Sequence, residues 1–128
     1  MNKPISPRTH GILDYATAGT AAIVSRLANF SRPAARTAQA WAAGYSVLSA
    51  LTDYPLSVKR AVPFKAHGAL DAAMAPLFPA LPWLLGFARD RRARNFFLGL
   101  TAITVLVTLL TDWSPSRSEQ RWRHEPAM

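Results

Sequence analysis

The sequence predicts an all-α membrane protein of four transmembrane helices, formed by two tandem two-helix repeats. Three observations lead to this fold class. Half of the 128 residues are hydrophobic and only 17% are charged. The charged residues gather in clusters, which leave four long uncharged stretches between them. The pentapeptide "HGILD" of residues 10–14 returns as "HGALD" at residues 67–71, which indicates a duplicated unit.

The four uncharged stretches are the predicted spans. They comprise residues 15–25, 37–52, 72–88 and 95–111. With their flanks, the last three approach the length of about 17 to 25 residues that crosses a bilayer. The first is short, and it spans only if Asp14 lies at one interface and the long side chain of Arg26 reaches the other. The third contains Pro76, Pro79 and Pro82, which should kink or loosen it.

A soluble helical bundle is the alternative fold, and the mean hydropathy of +0.06 would allow it. The stretch "FFLGLTAITVLVTLL" at residues 96–110 argues against it, because a helix that is apolar on all sides needs a large core around it. A chain of this length can scarcely build such a core. We therefore expect the apolar helices to face lipid.

The two copies of the repeat align without a gap over residues 10–30 and 67–87. Two positions further apart, "LTDY" at residues 51–54 falls on "LTDW" at residues 110–113. The alignment divides the chain into a polar N-terminal segment 1–9, a first repeat 10–54, an interfacial connecting loop 55–66, a second repeat 67–113 and a polar basic tail 114–128. Because each repeat has two spans, both copies should have the same orientation in the membrane.

The stretch "ALPWLLGF" at residues 80–87 follows a His-Gly-x-Leu-Asp entry and resembles the SPW-repeat membrane proteins. These small bacterial proteins are named for a Ser-Pro-Trp motif in the first helix of a two-helix repeat. The resemblance covers about residues 8 to 113, although Leu81 stands in place of the serine and the first copy lacks the Pro-Trp pair. The residues that match the motif are Pro82, Trp83, Gly86 and Phe87. The resemblance implies a four-helix membrane architecture and no particular activity.

The expected localisation is the cytoplasmic (inner) membrane, with several spans. The face that carries the chain termini has eight Lys and Arg residues, and the opposite face, at the hairpin turns, has seven. A difference of one gives only a slight preference for cytoplasmic termini under the positive-inside rule.

Six ionisable residues recur at matching positions and form the candidate site. They are His10, Asp14 and Asp53 in the first copy and His67, Asp71 and Asp112 in the second. A histidine and an aspartate four residues apart share a helix face, and a carboxylate that orients an imidazole is the usual partner of a metal ligand. The chain has no cysteine, so a metal would take nitrogen and oxygen ligands. The two histidines are the best metal candidates, and they could instead supply the axial ligands of a haem.

The same residues also have a structural interpretation. An aspartate in the first turn of a helix complements the helix dipole, by about 0.3 to 1 kcal/mol. Asp53 and Asp112 are predicted to end their helices, where a carboxylate opposes the dipole and needs a compensating cation. A polar clasp that closes each hairpin, with no cofactor, is our first interpretation. A proton or ion role is the second, and metal or haem binding is the third.

Small residues four apart predict close helix packing, either within the monomer or between protomers. They are Ala18 with Ala22 and Ala40 with Gly44. The stretch "PLSVKRAVPFK" at residues 55–65 mixes apolar and basic residues and should lie against anionic lipid headgroups. Nucleic acid is not an expected partner, because the 15 basic residues are divided between two membrane faces and accompany no binding motif.

The sequence shows no catalytic signature, since it has neither a Gly-x-Ser-x-Gly elbow nor a Gly-rich phosphate loop. We therefore expect a small integral membrane protein with a structural or accessory role, as a homo-oligomer or beside another membrane protein. One alternative is a component of proton, ion or small-solute transport that uses the His and Asp clusters. The other is a metal- or haem-binding membrane protein.

Overall fold

The first hairpin consists of two long helices in this computed structural model, which describes residues 3–116 and 120–127. Helix α1 spans Pro7–Leu27 and begins after Ser6, whose hydroxyl accepts a hydrogen bond from the backbone N–H of Thr9 at 3.2 Å. Helix α2 spans Arg32–Leu51. Between them, Asn29 has a φ of +51°, a left-handed conformation that asparagine tolerates better than most residues. Residues 1, 2, 117–119 and 128 of the predicted terminal segments lie outside the described residues.

The second hairpin has a broken first arm. Helix α3 spans only Phe64–Met74, and a 3₁₀ turn at Phe78–Ala80 and the one-turn helix α4 at Leu81–Leu84 follow it. The prolines at positions 76, 79 and 82 each lack a backbone N–H, so the arm divides into three pieces instead of forming the kinked helix that the sequence predicted. Gly86 then reverses the chain with a φ of +77°. Helix α5 spans Arg91–Leu110 without a break.

The start of each hairpin is tied to the end of the other. Ile5, which precedes α1, donates its N–H to the carbonyl of Leu110 at 3.1 Å and accepts from the N–H of Asp112 at 2.9 Å. Val62, which precedes α3, makes the same pair of backbone bonds with the end of α2, at 2.8 and 2.7 Å. Both hairpins therefore begin and end at one end of the bundle. We call it the cluster end, because a cluster of buried polar side chains lies there.

The interior of the bundle changes character along its length. Near the hairpin turns the core is apolar, and its buried side chains are Phe30, Ala34, Ala38, Phe87, Ala93, Phe97 and Leu100. At the cluster end the buried side chains include polar ones, namely His10, Asp14, Ser49, Thr52, His67, Asp71 and Thr111. The polar interior therefore lies where the two hairpins begin and end.

The predicted small-residue pairs have different positions. Ala18 is buried and Ala22 is half-buried, on the face of α1 that packs against α2. Ala40 and Gly44 are exposed, and a Cβ added at Gly44 would meet no atom within 4 Å. The first pair thus serves packing within the chain, whereas the second leaves a smooth outer strip on α2.

Large apolar side chains cover much of the outer surface of α5. The exposed ones are Leu98, Ile103, Val105, Leu106, Leu109 and Leu110. Among the described helices, α5 is the one that is long and apolar enough to cross a membrane, and only 17% of its most apolar stretch is buried. A core helix of a water-soluble protein would be mostly buried.

The all-helical fold is confirmed for the described residues, which contain helices and two isolated β-bridges. The prediction of four membrane-spanning helices is not supported by helix length and hydropathy, because α5 alone meets both criteria. Helix α3 has 11 residues, too few to cross a bilayer. Helices α1 and α2 are long enough, but arginines and small polar residues lower their hydropathy.

Candidate functional site between the two hairpins

Two histidine–aspartate pairs lie near the starts of α1 and α3, at the cluster end. In both helices the histidine follows the N-cap residue by four positions, and the aspartate lies one further turn along the same face. The exposed fractions of His10, Asp14, His67 and Asp71 lie between 0% and 7%. These four side chains form what we call the His–Asp cluster.

The two pairs meet at the contact between the hairpins. Nε2 of His10 lies 3.3 Å from Oδ1 of Asp14 and 3.5 Å from Oδ2 of Asp71. Nε2 of His67 lies 3.3 Å from Oδ2 of Asp14 and 3.6 Å from Oδ2 of Asp71. The two Nε2 atoms are 3.4 Å apart. Each imidazole therefore contacts both carboxylates, its own and that of the other hairpin.

Two threonines fix the orientation of the imidazole rings. Oγ1 of Thr111 lies 2.9 Å from Nδ1 of His10, and Oγ1 of Thr52 lies 2.8 Å from Nδ1 of His67. Each hydroxyl donates its only proton to a backbone carbonyl of its own helix, at 2.5 Å for Thr111 and 2.6 Å for Thr52. The hydroxyl must then accept from the ring, so Nδ1 carries a proton on both histidines and Nε2 faces the cluster. Each histidine is thus held by the hairpin to which it does not belong.

The two carboxylates have different surroundings. Oδ2 of Asp14 accepts hydrogen bonds from the hydroxyl of Ser49 at 3.3 Å and from the hydroxyl of Tyr54 at 3.2 Å. Oδ1 of Asp71 is buried and has no hydrogen-bond partner among the described residues. An unpaired carboxylate oxygen in a buried position is costly, so this atom marks the less satisfied side of the cluster.

The glycine of each pentapeptide allows an aromatic ring to approach the helix backbone. A Cβ added at Gly68 would lie 2.8 Å from the ring of Trp113, and one added at Gly11 would lie 2.9 Å from the ring of Tyr54. Real Cβ atoms do not approach that closely, so each ring occupies the space that a side chain would need. The ring of Trp113 also packs on that of His10, with centroids 4.9 Å apart. The two rings thus pack closely against the helix segments that carry the cluster.

A small cavity adjoins the cluster on the side of α5. Its volume is about 20 Å³, and Asp14, Asp71 and Trp41 are among its lining residues. Since a water molecule needs roughly 10 to 15 Å³ by the same measure, the cavity has room for one. Nε1 of Trp41, like Oδ1 of Asp71, has no hydrogen-bond partner among the described residues. The cavity is thus lined by two residues that each have an unpartnered polar atom.

Asp53 and Asp112 do not join the cluster, contrary to the prediction. Asp53 lies 3.7 Å from Arg60 and 3.5 Å from Arg123. Oδ1 of Asp112 accepts from the backbone N–H of Ser114 at 3.1 Å. The backbone turns extended at the residue before each aspartate, with ψ of 138° and 136°. Successive side chains of an extended chain point to opposite sides, so the threonine points inward and the aspartate outward.

The sequence interpretation missed the hydroxyl groups of the site. Thr52 and Thr111 occupy equivalent positions in "LTDY" and "LTDW", a repetition that was visible in the sequence. The aspartate is the charged residue of the motif, but it is the neighbouring threonine that contacts the histidine. Ser49 and Tyr54 carry no comparable signal, since the second copy has different residues at both positions.

The residues that match the SPW motif lie away from the cluster. Pro82 is buried in α4, and Trp83 is 59% exposed. Gly86 makes the turn after α4, and Phe87 packs in the apolar core, with its ring centroid 5.4 Å from that of Phe97. Their positions thus relate to the hairpin turn of the second copy and not to the cluster.

The donor set of the cluster suits a small ion better than a haem. A bis-histidine haem needs its two Nε2 atoms on opposite faces of a macrocycle. Here the two imidazoles of His10 and His67 stand nearly at right angles with centroids 5.2 Å apart, and both carboxylates lie within 3.6 Å of the Nε2 atoms. A porphyrin between the rings would collide with Asp14 and Asp71. This arrangement therefore does not fit a haem held between His10 and His67.

No family model, no curated protein and no solved structure matches this chain. The resemblance to the SPW-repeat proteins accordingly stays a prediction. What the chain does has to be inferred from the cluster and from the surface of the helices.

Proposed function

We propose that this protein is a small integral membrane protein with a structural or accessory role, whose two hairpins are held together by the His–Asp cluster. The observation that carries the proposal is the distribution of side chains. The charged and polar groups of the cluster are buried between the hairpins, while leucine, isoleucine and valine side chains cover the outside of α5. In water this arrangement would expose a large apolar surface, whereas in a bilayer it matches lipid on the outside.

In this proposal α5 is a full span, and the other arms cross or enter the bilayer beside it. Helices α1 and α2 have 21 and 20 residues, so each is about 30 Å long and matches the hydrocarbon thickness. Their arginines lie near helix ends, from which long side chains can reach the headgroups. The protein would then have several spans in the inner membrane, as in the SPW-repeat proteins, with both termini on one side.

The connecting loop between the hairpins supports contact with anionic lipid. Lys59 and Lys65 are exposed at the cluster end, together with the apolar side chain of Val58, which is 58% exposed. Each basic side chain near an anionic surface gains about 1 kcal/mol. The loop would therefore lie in the headgroup layer with its apolar side toward the acyl chains.

Transport through the cluster is not proposed. The cavity beside Asp14 and Asp71 measures about 20 Å³, which is the space of one water molecule and too little for a hydrated ion. The surroundings of the cluster fit a closed structural contact between hairpins better than a conduction path.

Single-cysteine labelling tests the membrane placement, because the chain has no cysteine of its own. The variants Leu106→Cys on α5, Lys59→Cys at the cluster end and Arg89→Cys at the hairpin turn all replace exposed residues. In membrane vesicles we expect a water-soluble maleimide to label positions 59 and 89 from opposite sides. Position 106 should stay unlabelled until detergent is added.

The cysteine-free parent is the matched control and should show no labelling. Release of the protein from membranes by alkaline carbonate would contradict the proposal. So would equally fast labelling of Leu106→Cys and Lys59→Cys in intact vesicles, since a lipid-facing residue is shielded from the reagent.

A further inference from the structure

The four side chains of the His–Asp cluster turn only acceptor atoms toward one another. Because Nδ1 of each histidine donates to a threonine, Nε2 of the neutral ring presents a lone pair. The two carboxylates present further lone pairs at 3.3 to 3.6 Å from these nitrogens. Buried acceptors that converge without a donor repel one another. The arrangement is stable only with two positive charges among them, either two added protons or one divalent cation.

The distances in the cluster select between these two possibilities. A zinc ion binds imidazole nitrogen and carboxylate oxygen at about 2.0 to 2.1 Å in a tetrahedron, which places neighbouring ligand atoms about 3.3 to 3.4 Å apart. The Nε2 atoms of His10 and His67 are 3.4 Å apart. They lie 3.3 Å from Oδ1 and from Oδ2 of Asp14, respectively, and 3.5 and 3.6 Å from Oδ2 of Asp71. An N–H···O hydrogen bond would draw its two atoms closer, to about 2.9 Å.

We propose that the His–Asp cluster is a zinc site with two nitrogen and two oxygen ligands. Nε2 of His10 and Nε2 of His67 bind the ion together with one carboxylate oxygen each from Asp14 and Asp71. His10, Asp14 and His67 place ligand atoms within 4.8 Å of one another. Asp71 lies outside that group, with its Oδ2 at 3.5 and 3.6 Å from the two nitrogens, and becomes the fourth ligand through a movement of its side chain. The charges of one divalent cation and two carboxylates cancel, which a buried site requires.

The residues around the ligands match those that support metal sites in general. A ligating histidine donates its other ring N–H to an oxygen, which fixes its tautomer and its orientation. Thr111 and Thr52 accept that proton from His10 and His67. A ligating carboxylate is likewise hydrogen-bonded, as Asp14 is by Tyr54. The hydroxyl groups therefore preorganise three of the four ligands before an ion binds.

The chemistry of the donors favours zinc over magnesium, calcium and monovalent copper. Magnesium and calcium prefer oxygen ligands alone, and monovalent copper prefers sulfur, which the cysteine-free chain offers only as methionine. With Asp71 as the fourth ligand, all four positions of the tetrahedron are filled by protein, and each ligand is at least nine-tenths buried. Such a closed site is structural and not catalytic. Since each hairpin supplies one histidine and one aspartate, the ion would join the hairpins.

Metal titration of the full chain in mild detergent tests the site, independently of how the protein lies in the membrane. After removal of metal with a chelator, Co²⁺ is added as the optical probe and Zn²⁺ as the competitor. We expect one Co²⁺ per chain with the intense visible absorption of a tetrahedral nitrogen–oxygen complex, and stoichiometric displacement by Zn²⁺.

Conservative variants assign the binding to the cluster. His67→Gln and Asp71→Asn each remove one ligand at nearly constant volume and should abolish the cobalt spectrum. The matched controls are His124→Gln and Asp112→Asn, which alter a histidine and an aspartate outside the cluster and should leave the spectrum unchanged. Helical circular dichroism shows which variants are folded. Thr111→Val keeps all four ligands and should weaken binding roughly 10- to 100-fold.

Two results would overturn the proposal. One is a folded parent protein that takes up less than a stoichiometric amount of Co²⁺ and Zn²⁺ at micromolar concentrations. The other is a cobalt spectrum that survives in folded His67→Gln. If His67→Gln does not fold, an unchanged affinity of folded Thr111→Val counts against the site in the same way. In each case protons, and not a metal, would hold the cluster together.

Discussion

The two hairpins begin with the same pentapeptide but give its aspartate different support. In the first hairpin, Ser49 and Tyr54 donate hydroxyl hydrogen bonds to Asp14. The equivalent positions of the second hairpin are Thr108 and Trp113. Nε1 of Trp113 donates to the backbone carbonyl of Thr108 at 2.9 Å, and Oγ1 of Thr108 has no partner among the described residues. The second aspartate is therefore held by the histidines alone.

The two copies of the repeat thus supply the cluster with two carboxylates that differ in their hydrogen bonds. The first copy fixes a carboxylate in place with groups of its own hairpin. The second copy presents a carboxylate whose Oδ1, on Asp71, has no hydrogen-bond partner among the described residues, so its side chain is less constrained. A rigid ligand and an adjustable one together can close around a small ion more easily than two rigid ligands, because a rigid pair would have to match the ion without any movement.

The largest expected effect separates the two aspartates. Asp14→Ala should lower the free energy of unfolding by about 3 to 5 kcal/mol, because it breaks a buried ion pair. It also leaves the hydroxyls of Ser49 and Tyr54 without their acceptor. Asp71→Ala should cost at least 1 kcal/mol less, about the value of the hydrogen bonds that it does not remove. Reversible unfolding in mixed micelles with chelator present measures both.

The chelator keeps metal binding out of this comparison, since a bound ion would stabilise the parent and not the variants. Asp112→Asn serves as the control for an aspartate outside the cluster and should change stability little. Equal losses of stability for Asp14→Ala and Asp71→Ala would show that the two carboxylates contribute equally. The hydrogen bonds from Ser49 and Tyr54 to Asp14 would then add nothing to the free energy of unfolding.

The same comparison shows which parts of the structure the sequence could predict. The His-x-x-x-Asp spacing places each pair on one helix face, and the duplication places the two pairs at the same end of the bundle. The all-helical fold follows from the apolar stretches. The distances across the hairpin contact do not follow from the sequence, because they depend on how closely Tyr54 and Trp113 approach Gly11 and Gly68.

Two other features could not be predicted from the sequence, because each depends on details of the local backbone. The three prolines of the second copy predicted a kink, but whether a helix bends or divides depends on how many freed carbonyl groups find other partners. The direction of Asp53 and Asp112 depends on a single ψ angle at the preceding threonine. A shift of one residue in the helix end would have pointed the aspartates inward and the threonines outward.

A smaller effect should separate the hydroxyl groups of the two hairpins. Ser49→Ala removes a hydrogen bond to Asp14 and should cost about 0.5 to 1.5 kcal/mol of unfolding free energy. Thr108→Val removes a buried hydroxyl that has no partner among the described residues, at constant volume. It should be neutral or stabilising, because no hydrogen bond is lost and a buried polar atom disappears. A clear loss of stability in Thr108→Val would mean that this hydroxyl has a water partner.

The smallest expected effect concerns the opposite end of the bundle, where Asp90 accepts hydrogen bonds from the backbone at the starts of both α5 and α2. Asp90 accepts from the backbone N–H of Ala93 at 3.1 Å, which caps α5, and from the backbone N–H of Ser31 at 2.6 Å. Ser31 begins α2 without a side-chain capping bond of its own. Although partial desolvation acts to raise the pKa of Asp90, these backbone hydrogen bonds outweigh it and hold the pKa below its ordinary value of 3.8.

A carboxylate with a lowered pKa stabilises the fold above its ordinary pKa, and this stability is lost as the pH falls through the lower pKa of the folded state. Asp90→Ala should therefore cost about 1 kcal/mol near pH 6, and the difference from the parent should shrink below about pH 4. Asp90→Asn keeps an acceptor oxygen without the charge, so it should cost less than Asp90→Ala, and the difference between these two variants should not change with pH because neither side chain titrates. Unfolding of the three proteins in micelles at several pH values measures these differences. A difference in unfolding free energy between the parent and Asp90→Ala that stays constant from about pH 6 to about pH 3 would contradict this. It would show that the negative charge of Asp90 does not contribute to its stabilising effect.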